Sequence, residues 1–133
     1  MSKLYSTGPI ENASALTVTV ASSVIVKLLN NHLNDIAEVE VKVFGLDGTK
    51  TLIFIDTILV DPHSSDYRII DVSEVLEFEV QIKVITKPFY VLIGVFGRDF
   101  DGELVAAQRL VHSELTVIEG PNRCCQSFIQ NYQ

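Results

Sequence analysis

The stretch that decides the fold of this 133-residue chain is Phe89-Tyr90-Val91-Leu92-Ile93-Gly94-Val95-Phe96-Gly97. Side chains of a β-strand alternate between its two faces, and in this stretch both alternating sets are apolar. A strand of this kind must be covered on both faces. The stretch therefore predicts a central strand at 89–97 in a layered all-β domain. Tyr90, Leu92 and Phe96 form its second apolar face, which either another part of the chain or another copy of the protein must cover.

The segments around this stretch alternate between apolar and polar residues, as strands with one face in water do. Residues 37–43 and 76–84 show this period of two most clearly, with Glu, Gln or Lys at every second position. A slip of one residue in the strand at 76–84 would bury two glutamates, so we expect its register to be fixed. Asp47-Gly48 separates the first of these segments from the apolar run 51–60 and predicts a tight hairpin.

Further extended segments are separated by turn sequences at intervals of roughly 8–12 residues, which is typical of β-sandwiches. They lie at 16–20, 24–29, 67–72, 103–112 and 115–118. No segment shows a convincing helical period. The sequence thus predicts an antiparallel β-sandwich of seven or eight strands, immunoglobulin-like or jelly-roll, without significant helix. It divides the chain into an N-terminal arm at 1–13, a sandwich domain at 14–119 and a C-terminal tail at 120–133.

Composition and charge exclude several classes of function. Hydrophobic residues make up 47% and charged residues 20% of the chain, which is typical of a folded protein. The formal net charge of -7 argues against nucleic acid or an anionic membrane as the main partner, since both require clustered Lys and Arg. Residues 1–10 lack the apolar core of a secretion signal, and no stretch reaches the ~18 apolar residues of a membrane span. We therefore expect no nucleic-acid partner and no membrane insertion. We also expect either a cytoplasmic protein or one that reaches an outer layer without a signal peptide.

Residue types that carry catalysis are present but are not arranged for it. His32, His63 and His112 are far apart in sequence and have no neighbour at the spacing of metal ligands. Asp61, His63 and Ser64 lie in one turn, where adjacent residues cannot form the relay that activates a nucleophile. The chain also lacks a glycine-rich phosphate loop and a G-x-S-x-G motif. The sequence therefore predicts a protein that is not an enzyme and uses no cofactor.

Two short motifs resemble binding or modification sites and are interpreted as turns. Asp99, Asp101 and Glu103 surround a glycine as in the opening of a calcium loop, but the closing position holds Leu110 instead of Glu. These three acids are the only candidate metal ligands, and we favour a plain hairpin turn with no metal. The sequence Asn12-Ala13-Ser14 matches a glycosylation sequon, and we interpret it as a turn that leads into a strand.

The C-terminal tail contains both cysteines of the protein, Cys124 and Cys125. Neighbouring cysteines cannot bond to each other without strain, so a useful disulfide would have to join another molecule. The alternative is a pair of reduced thiols in a loosely packed tail. Phe128, Ile129 and Tyr132 give the tail apolar side chains that could anchor it.

A β-sandwich without a signal peptide, joined to a terminal arm with a Cys124-Cys125 pair, resembles the subunits of bacterial endospore appendages and related spore-surface proteins. In that family the arm is N-terminal and locks neighbouring subunits through disulfides, while adjacent sandwiches extend one another's sheets. The resemblance implies a non-enzymatic structural protein at a spore surface or in another extracellular layer. Its partners would be copies of itself or other surface-layer proteins.

A different class of function is a small binding or adaptor module. Loops on a rigid sandwich commonly carry binding residues, and here the loops 30–35, 61–66 and 98–102 would present them. Tyr67, next to Arg68 and near His63, is the best local cluster for a ligand. This alternative predicts a monomer, whereas the structural protein predicts self-association.

Overall fold

The computed structural model describes residues 2–14, 18–86 and 88–119. Within these residues the chain forms ten strands and two 3-10 helices, and none of its helices is long and apolar enough to cross a membrane. The strands are β1 (Lys3–Ser6), β2 (Ile10–Glu11), β3 (Ser23–Asn30), β4 (Ala37–Leu46), β5 (Lys50–Val60), β6 (Ser64–Asp71), β7 (Glu77–Val84), β8 (Val91–Arg98), β9 (Leu104–Val111) and β10 (Thr116–Glu119). The 3-10 helices are Pro88–Tyr90 and His112–Glu114.

The strands form two antiparallel sheets, so the prediction of an all-β protein with a two-layered sandwich is confirmed. The first sheet has the order β10-β1-β7-β4-β5, and β2 also pairs with β7. The second sheet has the order β6-β3-β8-β9. The Asp47-Gly48 hairpin joins β4 to β5 as predicted, with Gly48 at a φ of 77° that favours glycine.

The core lies between the inward faces of the two sheets. Val39, Val41 and Val43 of β4 are 0% exposed, and the polar residues between them point outward. The same alternation holds in β7. Its inward residue Ile82 pairs with the inward residue Val41 of β4. The predicted registers at 37–43 and 76–84 are therefore confirmed, because a slip in either strand would place charged side chains in the core.

The structure corrects the predicted N-terminal arm and the strand count. Residues 3–6 and 10–11 pair with β7 of the same chain, and Tyr5 and Ile10 are 4% and 8% exposed. These apolar side chains face the core, so residues 3–11 belong to the sandwich. The strand predicted at 16–20 lies partly outside the described residues, and its Thr19 makes only an isolated bridge with Ala13.

The deciding stretch forms β8, which lies between β3 and β9 in the second sheet. The strand begins at Val91, two residues later than predicted, because Pro88–Tyr90 form a 3-10 helix. Its inward residues Val91, Ile93 and Val95 are buried in the core. The described part of the same chain covers only this inward face, since Leu92 on the outward face is 43% exposed.

Candidate assembly surface

The outer face of the second sheet carries a group of six apolar side chains, which we call the outer patch. It consists of Ile25, Leu29, Tyr67, Ile69, Leu92 and Phe96. Leu29 of β3 lies directly opposite Leu92 of β8, while Ile25 lies between Phe96 and Ile69 in the sheet. Ile25 is only 3% exposed, although it does not belong to the core cluster between the sheets.

Most of the outer patch is open to solvent. Leu29 and Leu92 are 38% and 43% exposed, and Tyr67 and Ile69 are 52% and 57% exposed. Single exposed apolar residues are common on soluble proteins, whereas a contiguous patch marks an interaction surface. Ile69, Ile25 and Phe96 form one row across three paired strands. Leu29 and Leu92 form a second row, and Tyr67, Lys27 and Gly94 lie between the two rows.

Polar groups lie inside and at one end of the outer patch. Lys27 lies between Ile25 and Leu29 on β3, and its ammonium is 5.8 Å from the ring centre of Tyr67, a cation-π distance. At the end of the patch, Ser23 pairs with Asp71 on one side and with Arg98 on the other. The patch therefore has one charged residue at its centre, Lys27, and polar residues at one end.

The centre of the outer face of the first sheet differs, since it is mainly charged. Glu40, Lys42, Gln81 and Lys83 line a shallow cavity of about 180 Å3 there, together with Leu4. Lys42 and Glu40 approach within 3.8 Å. These polar side chains are half-buried and retain contact with solvent, so the centre of this sheet face has no need of a cover.

The strand β5 forms a long apolar edge of the first sheet. It has 11 residues, and among the described strands it pairs only with β4. Its exposed side chains include Ile55 at 51% and Leu59 at 64%. Asp56 is the only charged residue inside the strand, and it binds Arg68 of β6 at 2.7 Å. The hydrogen bond from Arg68 is the main reason that the pKa of Asp56 lies below its usual range.

Edge strands of soluble proteins are normally protected against pairing with other chains by charges, proline or short length. The four-residue β10 is short, and β6 contains Asp66, Arg68 and Asp71. The strand β5 has neither protection along most of its length. It is therefore a second surface that is suited to contact another chain.

The structure separates the three residues that the sequence places on one strand face. Leu92 and Phe96 lie in the outer patch, whereas Tyr90 lies outside β8, in the preceding 3-10 helix. The Tyr90 ring packs edge-on against His32 with ring centres 4.6 Å apart. Sequence reasoning missed the neighbours Ile25, Leu29 and Ile69, although the run of apolar residues at 24–29 was a signal for a second two-sided strand.

The three loops of the alternative binding module do not form one surface. The loops 30–35 and 61–66 meet at one end of the sandwich, where the His63 N–H donates to the His32 carbonyl at 2.9 Å. The loop 98–102 lies at the other end, where the Ser22 hydroxyl donates to the Asp99 carbonyl. The whole length of β3, about 25 Å, separates the two ends. The loops 30–35 and 61–66 could therefore share one surface, from which the loop 98–102 is separate.

The acidic turn after β8 uses its first carboxylate to hold its own backbone. One oxygen of Asp99 accepts hydrogen bonds from the N–H groups of Asp101 and Glu103, each at 2.9 Å. Gly102 has a φ of 84°, as a tight turn requires. In residues 2–14, 18–86 and 88–119, no group of three or more His, Cys, Asp or Glu side chains could hold a metal ion. The geometry is that of a hairpin turn.

The turn that contains Asp61, His63 and Ser64 also has a purely structural geometry. The Ser64 hydroxyl donates to the Pro62 carbonyl at 3.0 Å and not to His63. His63 occupies the left-handed region with a φ of 54°. Both facts fit a turn between β5 and β6 and provide no activated nucleophile.

Asn12 of the sequon is a buried structural residue. It is 0% exposed, and its amide nitrogen donates to the carbonyls of Ala21, Val72 and Val75. Its amide oxygen accepts from the Ala21 N–H and from Gln108. A side chain in this position cannot carry a glycan in the folded protein. The interpretation of the motif as structural agrees with this burial.

The tail residues Cys124, Cys125, Phe128, Ile129 and Tyr132 lie outside the described residues. No model of a known protein family matches the sequence, and no curated protein sequence is significantly similar to it. The function must therefore be inferred from the surfaces described above.

Proposed function

We propose that this protein is a non-enzymatic structural subunit that assembles with copies of itself through the outer patch. The observation that carries the proposal is the group of exposed apolar side chains on the outer face of the second sheet, whereas the centre of the first sheet's outer face is charged. In a single copy, residues 2–14, 18–86 and 88–119 leave Leu29, Leu92, Tyr67 and Ile69 of this patch in contact with water. Contact with a second copy removes it from water and leaves the charged sheet solvated.

The outer patch is large enough to drive weak association. At about 25 cal/mol per Å2 of apolar surface, each half-exposed Leu, Ile or Tyr that becomes buried contributes about 1–2 kcal/mol. Four such side chains together offset much of the entropy lost when two copies associate. Additional contacts are therefore needed for a durable assembly.

The β5 edge and the cysteine tail would supply these contacts. Pairing along β5 would satisfy exposed backbone groups and cover Ile55 and Leu59. Disulfides through Cys124 and Cys125 would then lock copies that are already in contact. This combination suits a protective layer or appendage at a spore surface, where covalent durability matters more than rapid exchange.

The first test replaces Leu92 with aspartate. The fold should remain, because Leu92 is 43% exposed, but assembly should be lost because the charge would be buried at the contact. Size-exclusion chromatography with light scattering, with and without reductant, measures the assembly, and negative-stain images show its form. Leu33→Asp is the matched control, since Leu33 is 71% exposed in a loop outside the outer patch and β5.

Two further variants keep this test decisive. If Leu92→Asp fails to fold, Ile69→Asp places the same charge in the patch from the edge strand β6, at a side chain that is 57% exposed. Cys124→Ser with Cys125→Ser separates covalent locking from the noncovalent contact. A wild-type protein that is a monomer in both redox conditions contradicts the proposal, as does assembly that survives both patch variants.

The second candidate is a binding module that uses the end of the sandwich where loops 30–35 and 61–66 meet. The observation in its favour is that Tyr90 and His32 pack together there, beside Phe89, which is 74% exposed. A strictly monomeric protein would favour this candidate, and a ligand screen monitored at Phe89 and Tyr90 would then test it.

A further inference from the structure

The chain crosses from the second sheet to the first between β9 and β10. The 3-10 helix His112–Glu114 makes the crossing, followed by Leu115, which is 8% exposed in the core. After the crossing, β10 pairs with β1 along only four residues. Such a short edge strand depends on the contacts that hold the crossing in place.

His112 replaces a missing backbone partner in the second sheet. The pairing of β8 with β9 ends where Gly94 lies opposite Val111. The next N–H of β8, at Ile93, donates instead to Nδ1 of His112 at 3.1 Å. The imidazole therefore continues the ladder at the point where the backbone of β9 turns away.

The surroundings of the imidazole favour its neutral form. From β1, the Tyr5 ring packs against it with ring centres 4.9 Å apart, and the Lys3 ammonium lies 5.8 Å from the Tyr5 ring. From β8, the contact is the Ile93 N–H, which has no charge. In the turn itself, the Glu114 carboxylate accepts from the Val111 N–H at 2.8 Å. Among the described side chains, no carboxylate forms an ion pair with His112.

We propose that His112 is an acid-sensitive latch that holds the crossing and β10 against the rest of the sandwich. The Ile93 bond requires a lone pair on Nδ1, and protonation replaces that lone pair with a second N–H. Two donors would then face each other, and a new positive charge would lie near Lys3. The crossing would open locally and leave the edge of β1 without its partner β10.

The direction of the pH effect follows from the same contacts. Burial, followed by the charge of Lys3, lowers the pKa of His112 below its usual value of 6.5. The opened state therefore takes up a proton more readily than the closed state. The stabilisation is complete above about pH 6.5 and is lost as the pH falls from there towards the lowered pKa.

Hydrogen exchange measured at pH 7.5 and 5.5, after correction for the intrinsic pH dependence of exchange, tests the latch. The amides of Ile93 and of β10 should lose protection several-fold at pH 5.5. The amides of β4 in the middle of the first sheet should not change, which distinguishes local opening from global unfolding. Both conditions lie above the range in which Glu79, Asp56 and Asp71, whose pKa values are lowered, become protonated.

Two variants make the result specific to His112. In His112→Gln the side-chain amide does not titrate, so the difference between the two pH values should disappear whatever the level of protection at pH 7.5. In His63→Gln, which changes an exposed histidine in a distant turn, the wild-type difference should remain. An undiminished difference in His112→Gln overturns the proposal, and so does equal protection of wild-type β10 at both pH values. The result does not depend on whether the protein assembles, and a reductant with a dilute sample keeps copies apart.

Discussion

The residue at position 97 of β8 must be glycine because a side chain from the neighbouring strand lies against it. A Cβ atom at this position would overlap Oε1 of Gln108 and would lie 3.2 Å from Cβ of Ala21. Gln108 is 4% exposed, and its nitrogen donates to the carbonyl of Glu11 and to Oδ1 of Asn12. These bonds limit how far Gln108 can move, so only glycine fits beside it.

Gly97→Ala should lower the free energy of unfolding by about 1–3 kcal/mol, because the added methyl group overpacks a buried site. Gly94→Ala is the matched control in the same strand, since no atom lies within 4 Å of the added Cβ. That variant should stay within about 0.5 kcal/mol of the wild type or be slightly more stable. Urea denaturation measures both, and equal losses in the two variants would contradict the argument.

The difference between these two glycines could not be predicted from the sequence. Both lie in the same apolar stretch, and both follow an apolar residue. What distinguishes them is Gln108, which approaches from β9 and is itself held by Asn12 near the N-terminus. The role of Asn12 in the buried network was missed for the same reason. The five hydrogen bonds of its side chain join it to several other segments of the chain.

The strand β7 carries a buried carboxylate on its outward face. Glu79 is 9% exposed and accepts hydrogen bonds from Ser6 of β1 and Gln81 of its own strand. Lys50 of β5 binds its other oxygen at 2.8 Å. Burial alone would raise the pKa of Glu79, but the bonds from Lys50, Ser6 and Gln81 outweigh it and hold the pKa below its usual value. The carboxylate thus ties β1, β7 and the start of β5 together.

Glu79→Gln should destabilise the protein at pH 7 by about 1–2 kcal/mol, because the charged bonds are lost. The ionised carboxylate stabilises the fold above its usual pKa of about 4.5, and this contribution disappears as the pH falls below that value. The variant should therefore lose less stability than the wild type between pH 5 and 3. Denaturant unfolding at the two pH values measures this. Glu40→Gln, which changes a carboxylate on the same sheet face, should keep the wild-type acid dependence.

Long alternating strands were predictable, and short strands with distant partners were not. The segments 37–43 and 76–84 could be predicted as strands because each contains several repeats of the apolar-polar alternation within a short stretch of sequence. By contrast, β1 has only four residues and is stabilised by β7, about 77 positions later in the chain. Tertiary pairing creates this strand, so a local pattern cannot reveal it.

The whole molecule carries a net charge of -7, which opposes association of identical copies. An apolar contact should therefore become stronger when salt screens the repulsion. Raising the NaCl concentration from 0.01 to 0.1 M shortens the screening length from about 30 Å to about 10 Å. The assembled fraction in sedimentation velocity should rise over this range. A fall would instead show that ion pairs hold the copies together, and Leu92→Asp should remove the rise.

The outer patch as a whole was only partly predictable. The sequence identified Leu92 and Phe96, because β8 is apolar on both faces. Ile25, Leu29 and Ile69 join them only through the order β6-β3-β8, which depends on how distant segments pair. The described part of the chain leaves this face uncovered. This exposure could be recognised only from the structure of the complete sandwich.

The outer patch and the charged centre of the first sheet should make the folded molecule surface-active. At a boundary between water and an oily or waxy phase, the second sheet would turn towards the apolar side and the charged first sheet towards water. Every adsorbed copy would then share one orientation, so that the exposed β5 edges come to lie in a common plane. A film of such copies would be wettable on the side that faces water, whatever material lies beneath it.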